Sequence, residues 1–339
     1  MANSDADRAP CAVLGAGAWG TALADLLARN GHRVRLWARE ADVVESITSR
    51  RENARFLPGF RLHESLEATD DLATAARDAA VVVYASPSQV LRAVAKASCA
   101  SITKGATVLV ASKGIETGSL LLMTDVVAEE LRECAVVAVS GPSFAAEVAA
   151  RQPTAIVAAS SSPEAALQAQ QALSSREFRV YTHADVTGVE LGGSLKNVLA
   201  VATGIAEGVG LGYNPRAALI TRGLAEMTRL GIAMGAQPAT FAGLAGIGDL
   251  VLTCTGPLSR NRSVGVEIGK GVPLAQVLAG RDTVAEGVEN ARNAAALALR
   301  HGVDMPIVRA VTAVLFDGHA PREAIERLMA RDLRAEQDA

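Results

Sequence analysis

Lysine is rare in this sequence, and its rarity marks the side chains that could transfer a proton. Only five of the 33 basic residues are lysine: Lys96, Lys104, Lys113, Lys196 and Lys270. Arginine keeps its proton at physiological pH, whereas a buried lysine can lose it. A lysine retained in so arginine-rich a chain is therefore a candidate for a position that needs a mobile proton or a compact positive charge.

Lys196 lies in a stretch where burial could bring the pKa of its ammonium group into the range of a proton donor. The stretch 191–199 reads Leu-Gly-Gly-Ser-Leu-Lys-Asn-Val-Leu, which is apolar on almost every side of a helix. Such a helix is buried, and burial lowers the pKa of an ammonium group toward neutrality. A general acid that works near pH 7 needs such a pKa. The alternative is a structural lysine whose aliphatic stem crosses the core and whose ammonium group reaches water.

Two more charged side chains are candidates for the same chemistry. Asp249 lies in the apolar, glycine-flanked stretch 245–253, where it could cap a helix or pair with a buried lysine. Lys113 follows the apolar run 106–111, and ligands of open α/β sheets bind at the carboxyl ends of the strands. An ordinary surface loop is the alternative for Lys113.

A glycine-rich segment predicts a dinucleotide site. Gly15-Ala16-Gly17-Ala18-Trp19-Gly20 matches G-x-G-x-x-G between a predicted strand and a predicted helix. In that pattern the first glycine forms the tight turn, the second lets the backbone approach a pyrophosphate, and the third lets the helix pack on the strand. An ordinary glycine-rich turn is the alternative.

The end of the second predicted strand indicates which dinucleotide is accepted. An acidic residue there would bind the ribose 2′-hydroxyl of NAD, but the sequence has Ala38 followed by Arg39. Because a guanidinium group binds phosphate well, the sequence predicts that NADPH is accepted. A surface arginine without this role is the alternative.

Two helix starts could hold an anion. Ser140-Gly141-Pro142-Ser143-Phe144-Ala145 follows a predicted strand and opens a helix, with Pro142 in its first turn. Further on, Ser259 is a predicted N-cap, and Arg260 with Asn261 could bind a phosphate at the same helix end. The alternatives are a surface loop for the first segment and a generic basic helix start for the second.

The candidate residues lie in two predicted domains, one built on a β-sheet and one built from helices. Apolar runs bounded by turn residues, which predict strands, lie at 12–14, 34–37, 80–85, 106–111, 135–140, 154–159 and 178–182. Helical patterns separate most of them, so they predict a doubly wound, mostly parallel Rossmann-like sheet over residues 10–185. The rest, 186–332, is predicted to be an all-helical domain, with helices at 186–207, 215–234, 259–269, 287–300, 306–315 and 322–329.

The composition excludes several classes of protein. A net charge of −3 gives no electrostatic footprint for nucleic acid. Four dispersed cysteines predict neither a metal site nor a disulfide framework, which fits an intracellular protein. No signal peptide is expected from the polar N-terminus, and no membrane span from the apolar runs. We therefore expect a soluble, cytoplasmic, globular protein.

The motifs occur together in an order that resembles bacterial NAD(P)-dependent sn-glycerol-3-phosphate dehydrogenases. The resemblance covers about 11–330 and rests on the glycine loop, Ser112-Lys113-Gly114, residues 140–145, 188–197, 218–223, 246–250 and 259–262, and Val284-Ala285-Glu286-Gly287. It implies reduction of dihydroxyacetone phosphate to sn-glycerol 3-phosphate with NADPH or NADH, which feeds glycerophospholipid synthesis. It also implies a homodimer and no metal. One departure is Ala18, where the family commonly has serine.

The resemblance also implies a role for each candidate residue. Lys196 would be the catalytic acid and base, Lys113 would polarise the same carbonyl oxygen, and Asp249 would orient Lys196. The residues implied to bind substrate are Lys113, Gly141, Ser143, Lys196, Asp249, Ser259, Arg260 and Asn261. The residues implied to bind the cofactor are Gly15, Gly17, Ala18, Trp19, Gly20, Arg39, Lys113, Ala145, Arg260, Val284 and Glu286.

Two other functions remain open at this point. A two-domain NADP-dependent β-hydroxyacid dehydrogenase would also combine a Rossmann domain with a catalytic lysine, although the segment around Arg260 favours a phosphorylated triose. A dehydrogenase fold without activity could serve as an NADPH-binding regulatory protein. The joint presence of Lys113, Lys196 and Asp249 argues against that hypothesis.

Overall fold

A computed structural model describes residues 9–279, 285–333 and 335–336. The described chain forms two compact units. The first unit runs to Ser112 and resumes at Met123–Val186, and the second combines Lys113–Leu122 with the residues from Thr187 onward. The segment Lys113–Leu122 thus groups with the helical part of the chain, which the domain boundary predicted at residue 185 does not anticipate.

The first unit contains an eight-stranded sheet. Its strands are β1 (Cys11–Leu14), β2 (Val34–Trp37), β3 (Leu66–Thr69), β4 (Val81–Tyr84), β5 (Thr107–Val110), β6 (Ala135–Ser140), β7 (Thr154–Ala159) and β8 (Phe178–His183). They are ordered β3-β2-β1-β4-β5-β6-β7-β8, and every neighbouring pair is parallel except β6 and β7. The predicted doubly wound, mostly parallel sheet is confirmed.

All seven predicted strands are present, and the strand that the sequence did not predict is β3. It reads Leu-Glu-Ala-Thr, and of its four residues only Leu66 is buried. β3 lies at the edge of the sheet, so its sequence lacks the continuous apolar run that marks β1, β4 and β5, which are buried along their whole length.

The helices of the first unit cover the sheet. They are α1 (Ala18–Arg29), α2 (Ala41–Arg50), α3 (Leu72–Ala76), α4 (Leu91–Ser98), α5 (Met123–Glu130), α6 (Ala145–Ala149) and α7 (Pro163–Leu173). The predicted end of α1 is confirmed, because Asn30 is its C-cap and Gly31 follows with a φ of 87°. That left-handed conformation suits glycine.

From Thr187 onward the described residues of the second unit form helices joined by short connections, without a strand. Its helices are α8 (Val186–Gly208), α9 (Tyr213–Ala233), α10 (Pro238–Phe241), α11 (Asp249–Thr255), α12 (Arg260–Gly269), α13 (Leu274–Leu278), α14 (Glu286–Arg300), α15 (Pro306–Phe316) and α16 (Pro321–Met329). The six predicted helices are confirmed to within about two residues. The sequence did not predict α10, α11 and α13, which are too short to develop a helical period of apolar residues.

Glycines allow α8, the central helix of this unit, to pack closely on its neighbours. A Cβ added to Gly204 would lie 2.1 Å from the carbonyl oxygen of Arg262 in α12. A Cβ on Gly192 would lie 2.2 Å from the carbonyl oxygen of Ala245, just before α11. Backbone therefore touches backbone at both places, and the second contact fixes α8 against the segment that leads into Asp249.

Pro238–Thr255 has the length and hydropathy to cross a membrane, with a mean hydropathy of 1.2 over 18 residues. It is not a continuous helix, because a π-helical turn at Leu244–Gly248 breaks it and Gly246 has non-helical torsions. Its first polar residue after the break, Asp249, is fully buried. Of this window 44% is buried, and a core segment of a protein can pass the same test of length and composition.

Candidate active site

The candidate catalytic residues of the second unit form one buried ionic cluster. Asp249 lies between two ammonium groups: Lys113 Nζ donates to Oδ2 at 2.8 Å, and Lys196 Nζ donates to Oδ1. The Asp249 side chain is fully buried, and those of Lys113 and Lys196 are only 14% and 10% exposed. Of the alternatives that the sequence leaves open, the structure favours a largely buried, paired Lys196, and Asp249 is its charge partner.

Burial and neighbouring charges tune the cluster. The pKa of Lys196 is lowered to about 8, because burial and, to a smaller extent, the nearby Lys113 charge lower it more than the Asp249 carboxylate raises it. Burial alone would raise the pKa of Asp249, but the ammonium groups of Lys113 and Lys196 bring it below its ordinary value. Near neutral pH the carboxylate therefore stays ionised while Lys196 can hold or release a proton.

The elements that carry the cluster hold it rigidly. Asp249 opens α11 directly after the break at Gly246, and its carbonyl oxygen accepts a hydrogen bond of 2.6 Å from Thr253 Oγ1. Lys196 lies one helical turn after Gly192, where α8 contacts Ala245. The distance between the two charged side chains is thus set by contacts between backbones.

Polar side chains fasten the segment that carries Lys113. Ser194 Oγ in α8 donates to the carbonyl oxygen of Gly114 at 3.1 Å. In α14, Asn290 Oδ1 accepts from the Ile115 amide at 3.1 Å, and Asn293 Nδ2 donates to the Ile115 carbonyl at 2.8 Å. The sequence did not predict a role for these three side chains. Their signal is two asparagines three positions apart in the apolar pattern of α14, since buried amides need partners.

The start of α12 contains the predicted phosphate ligands. Ser259 is the N-cap, as predicted, and its side chain accepts from the Arg262 amide at 3.2 Å. The Arg260 side chain is exposed and makes no hydrogen bond or ion pair with any residue that the structure describes. Asn261 donates to Asn197 Oδ1 at 2.9 Å and accepts from the Gly287 amide at 3.0 Å.

Asn261 therefore connects the start of α12 to α8, next to Lys196, and to the first turn of α14. Glu286, predicted to contact the cofactor, is the first residue of α14. Val284, predicted for the same role, lies outside the described residues.

The glycine loop in the first unit has room and donors for a dinucleotide. Gly15 has a φ of +125°, and a Cβ there would lie 2.8 Å from the Ala85 carbonyl carbon; on Gly20 it would lie 1.9 Å from the Gly15 oxygen. Nothing lies within 4 Å of a Cβ placed on Gly17. Gly17 is the N-cap of α1 and has no side chain that could accept a hydrogen bond from the first amides of the helix. The buried Trp19 Nε1 has no hydrogen-bond partner in the described chain.

These features fit a bound diphosphate, because the first amides of a helix, Ala18 and its successors, need an acceptor. Beyond the loop, Arg39 is 79% exposed and its guanidinium pairs with Glu40 at 2.8 Å. Ala38 is buried, so no acid occupies the position that would bind a ribose 2′-hydroxyl.

The segment 140–145, which was predicted to hold an anion, differs from expectation at the start of its helix. Gly141 has a φ of +146° and a Cβ there would lie 2.8 Å from Ile156 Cα. Ser143 Oγ donates to the Gly141 carbonyl at 3.0 Å. The helix α6 begins at Ala145 with Phe144 as its extended N-cap, so the prediction that Pro142 lies in the first turn is wrong. The left-handed Gly141 and the extended Phe144 delay the helix.

No group of three or more His, Cys, Asp or Glu side chains suited to a metal ion occurs among the described residues.

Comparison with known proteins identifies what the chain is similar to. Residues 10–166 match the family model of the NAD-dependent glycerol-3-phosphate dehydrogenase N-terminus, and residues 185–326 match that of the C-terminus. A glycerol-3-phosphate dehydrogenase (NAD(P)+) from Citrifermentans bemidjiense is 53% identical over 328 residues, 96% of this chain and 98% of that one. The Geobacter sulfurreducens protein of the same name is 54% identical, again over 96% and 98% of the two chains.

Solved structures agree. A glycerol-3-phosphate dehydrogenase from Coxiella burnetii superposes with a TM-score of 0.92 at 41% identity, over 96% of this chain and 99% of that one. A PanE/ApbA family ketopantoate reductase from Ralstonia eutropha reaches a TM-score of 0.59 at 17% identity, over 94% and 99% of the chains. That likeness extends to the fold alone.

Proposed function

The chain belongs to the NAD-dependent glycerol-3-phosphate dehydrogenase family, and from that premise we propose that it reduces dihydroxyacetone phosphate to sn-glycerol 3-phosphate with NADPH or NADH. The reaction is reversible and feeds glycerophospholipid synthesis. The observation that carries the chemistry is the buried Asp249 carboxylate shared by the Lys113 and Lys196 ammonium groups.

The nicotinamide, when bound, supplies the hydride that adds to the substrate carbonyl. Hydride addition turns the carbonyl oxygen into an alkoxide, which needs positive charge and a proton. Lys196 gives its proton to that oxygen, and Lys113 stabilises the developing negative charge. Asp249 holds both ammonium groups in place. Because the pKa of Lys196 is about 8, Lys196 is mostly protonated at neutral pH. In the reverse direction the neutral Lys196 amine accepts the alcohol proton.

The residues proposed to hold the dinucleotide are those that the family resemblance implies. The glycine loop offers Gly15, Gly17, Ala18, Trp19 and Gly20, of which the uncapped helix start and the unpartnered Trp19 Nε1 are the features that favour a diphosphate. Arg39 is proposed to bind the 2′-phosphate of NADPH. The remaining proposed contacts are Lys113, Ala145, Arg260, Val284 and Glu286.

Arg260 is the proposed main ligand of the substrate phosphate. Its guanidinium is exposed at a helix N-terminus and has no partner in the described chain, and guanidinium groups bind phosphate in a bidentate manner. Asn261 keeps one amide N–H beyond its bond to Asn197. Ser259, Gly141 and Ser143 complete the proposed phosphate and glycerol contacts.

The test of the function is an assay of purified protein with dihydroxyacetone phosphate and NADPH, in which oxidation of the cofactor is followed. We expect turnover with dihydroxyacetone phosphate, and slower or no turnover with β-ketoacids. Activity with a β-ketoacid and none with the triose phosphate would overturn the proposal in favour of a β-hydroxyacid dehydrogenase. Tight NADPH binding without turnover of either would favour the inactive regulatory protein.

Removing the Arg260 guanidinium should weaken substrate binding. For Arg260→Ala we expect KM for dihydroxyacetone phosphate to rise by about 10- to 100-fold, because a charge-assisted hydrogen bond contributes about 1.5–3 kcal/mol. Steady-state kinetics at saturating cofactor measure the effect. Exposed Arg322, which lies in α16, gives the matched control Arg322→Ala. An unchanged KM in Arg260→Ala would place the phosphate site elsewhere.

Reversing the charge at Arg39 should change the choice of cofactor. Arg39→Asp should raise KM for NADPH at least about tenfold and leave KM for NADH unchanged or lower, since a carboxylate repels the 2′-phosphate and can bind the 2′-hydroxyl. The ratio of kcat/KM for the two cofactors is the measurement. Equal effects on both would show that Arg39 does not contact the cofactor.

We further propose a cytoplasmic homodimer, which family resemblance favours. Light scattering coupled to size-exclusion chromatography should give twice the chain mass of 34.9 kDa. A mass of one chain at micromolar protein would contradict the dimer, and recovery of the activity in a membrane fraction would contradict the location.

A further inference from the structure

The first unit contains a cavity that the proposed reaction does not use. It has a volume of about 380 Å³ and lies at the C-terminal end of α1, where Leu26, Arg29 and Asn30 form one wall. Val148 and Arg151, at the end of α6, form a second wall. The chain entering β8, including Arg176 and Phe178, forms a third.

This cavity is separate from the dinucleotide loop. Gly17 lies at the start of α1 and the cavity lies at its end, 12 residues further on, which is about 18 Å along a helix that rises ~1.5 Å per residue. None of the residues predicted to bind substrate or cofactor lines it.

The walls carry an excess of positive charge. Three guanidinium groups, from Arg29, Arg151 and Arg176, face one carboxylate, that of Glu177. Arg29 is paired with Asp25 outside the cavity lining, and the Arg151 charge together with burial lowers the pKa of Arg29. Arg151 and Arg176 are exposed and make no hydrogen bond or ion pair through their side chains within the described residues. Because Arg151 and Arg176 have no ion-pair partner among the described residues, their positive charge favours an anionic ligand.

Arg151 occupies a backbone position that this chain otherwise gives to glycine. Its amide donates to the Val148 carbonyl and the Gln152 amide to the Glu147 carbonyl, a Schellman turn that places residue 151 in the left-handed region at a φ of 59°. The same turn follows five other helices, and there the residue is Gly31, Gly210, Gly235, Gly271 and Gly302. The turn at Arg151 thus places a guanidinium group beside the cavity, where the five other turns have no side chain.

The size and lining of the cavity define the ligand further. A volume of about 380 Å³ lies in the range of small-molecule sites and is much larger than a phosphate ion. Leu26, Val148 and Phe178 supply an apolar side, which would contact an organic body while the guanidinium groups bind the anionic end. Guanidinium forks match the oxygens of phosphate.

We propose that this cavity is a second ligand site, which binds a small phosphomonoester through Arg151 and Arg176 with its organic part against Leu26, Val148 and Phe178. The site belongs to the first unit alone and does not depend on the proposed reaction.

The test uses phenyl phosphate as the probe on the full chain. Phenylglyoxal modifies accessible arginines, and peptide mass spectrometry measures the rate at each one. We expect saturating phenyl phosphate to slow modification of Arg151 and Arg176 at least tenfold and to leave exposed Arg33 and Arg77 unchanged. Inorganic phosphate should give the same protection at a higher half-saturating concentration, because it lacks the apolar part.

Arg151→Gly is the decisive variant, since it removes the guanidinium and relieves the turn. Its melting temperature should equal or exceed that of the parent, while the concentration of phenyl phosphate that protects Arg176 should rise at least tenfold. Arg51→Gly is the matched control, because Arg51 also has a left-handed φ, of 54°, and lies outside the cavity; protection of Arg176 should be unaltered in it.

Three results would overturn the proposal. One is protection of Arg260 by phenyl phosphate without protection of Arg151 and Arg176, which would leave the proposed reaction intact. A second is equal slowing at Arg33 and Arg77, which would show general screening of charge. The third is equal protection by benzoate at the same ionic strength, which would exclude a site built for phosphomonoesters.

Discussion

Lys196→Arg should lower kcat for reduction of dihydroxyacetone phosphate by about 10³-fold and leave the fold intact, because general acid catalysis contributes about 10²- to 10⁴-fold. Arginine keeps a positive charge for Asp249 but does not release its proton. Steady-state kinetics in both directions measure the loss.

Lys270→Arg is the matched control for this substitution. Lys270 is 55% exposed and pairs with Glu267 on the surface of α12, so its replacement should change neither kcat nor the melting temperature. Circular dichroism would verify that both variants fold. A Lys196→Arg variant with kcat within threefold of the parent would remove Lys196 from the proton transfer.

The pH dependence of kcat/KM tests the role of Lys196 independently. Because the pKa of Lys196 is about 8, kcat/KM for reduction, which needs the ammonium form, should fall as pH rises through about 8. The reverse oxidation needs the neutral amine and should rise over the same interval. Lys196→Arg should lack this limb in whatever activity remains, because its guanidinium does not titrate there.

The sequence predicted the parts of this site that depend on local pattern. The helix around Lys196 is apolar on every side, and such a pattern indicates burial wherever the helix packs. The glycine loop carries its own conformation in Gly15 and Gly20, whose replacement would bring a Cβ against neighbouring backbone. The strands β4 and β5 are buried along their length and read as unbroken apolar runs.

What the sequence did not predict depends on pairs of residues far apart in the chain. The antiparallel pairing of β6 with β7 leaves no mark in either strand, since both are apolar runs like their parallel neighbours. The bonds from Asn290 and Asn293 to the backbone of Ile115 span about half the chain. Only the folded backbone brings such partners together, and a single sequence without tertiary contacts does not encode them in a local pattern.

The second large effect is expected at Asp249. Asp249→Asn keeps the shape of the side chain but leaves two buried ammonium groups, those of Lys113 and Lys196, without a counter-charge. Loss of one partner from a buried ion pair costs about 3–5 kcal/mol, and we expect a decrease of that size in the free energy of unfolding. Chemical denaturation monitored by circular dichroism measures it.

The same change should displace the pH profile toward acid. The Asp249 carboxylate raises the pKa of Lys196, whereas burial and the Lys113 charge lower it, so in Asp249→Asn the pKa of Lys196 falls below about 8. The reduction should then lose its rate at a lower pH than in the parent, and kcat at pH 7.5 should fall by about 10²-fold or more, as expected for loss of a general acid.

Asp304→Asn separates this effect from a general loss of surface ion pairs. Asp304 pairs with Arg309 and Arg331 and is 43% exposed, and exposed pairs contribute only about 0–1 kcal/mol. The control should therefore keep the parent pH profile and most of its stability. If Asp249→Asn lost stability but kept the parent pH limb near 8, Asp249 would be a structural partner of the lysines and not the group that sets their protonation. If it kept both, the buried carboxylate would have no part in either.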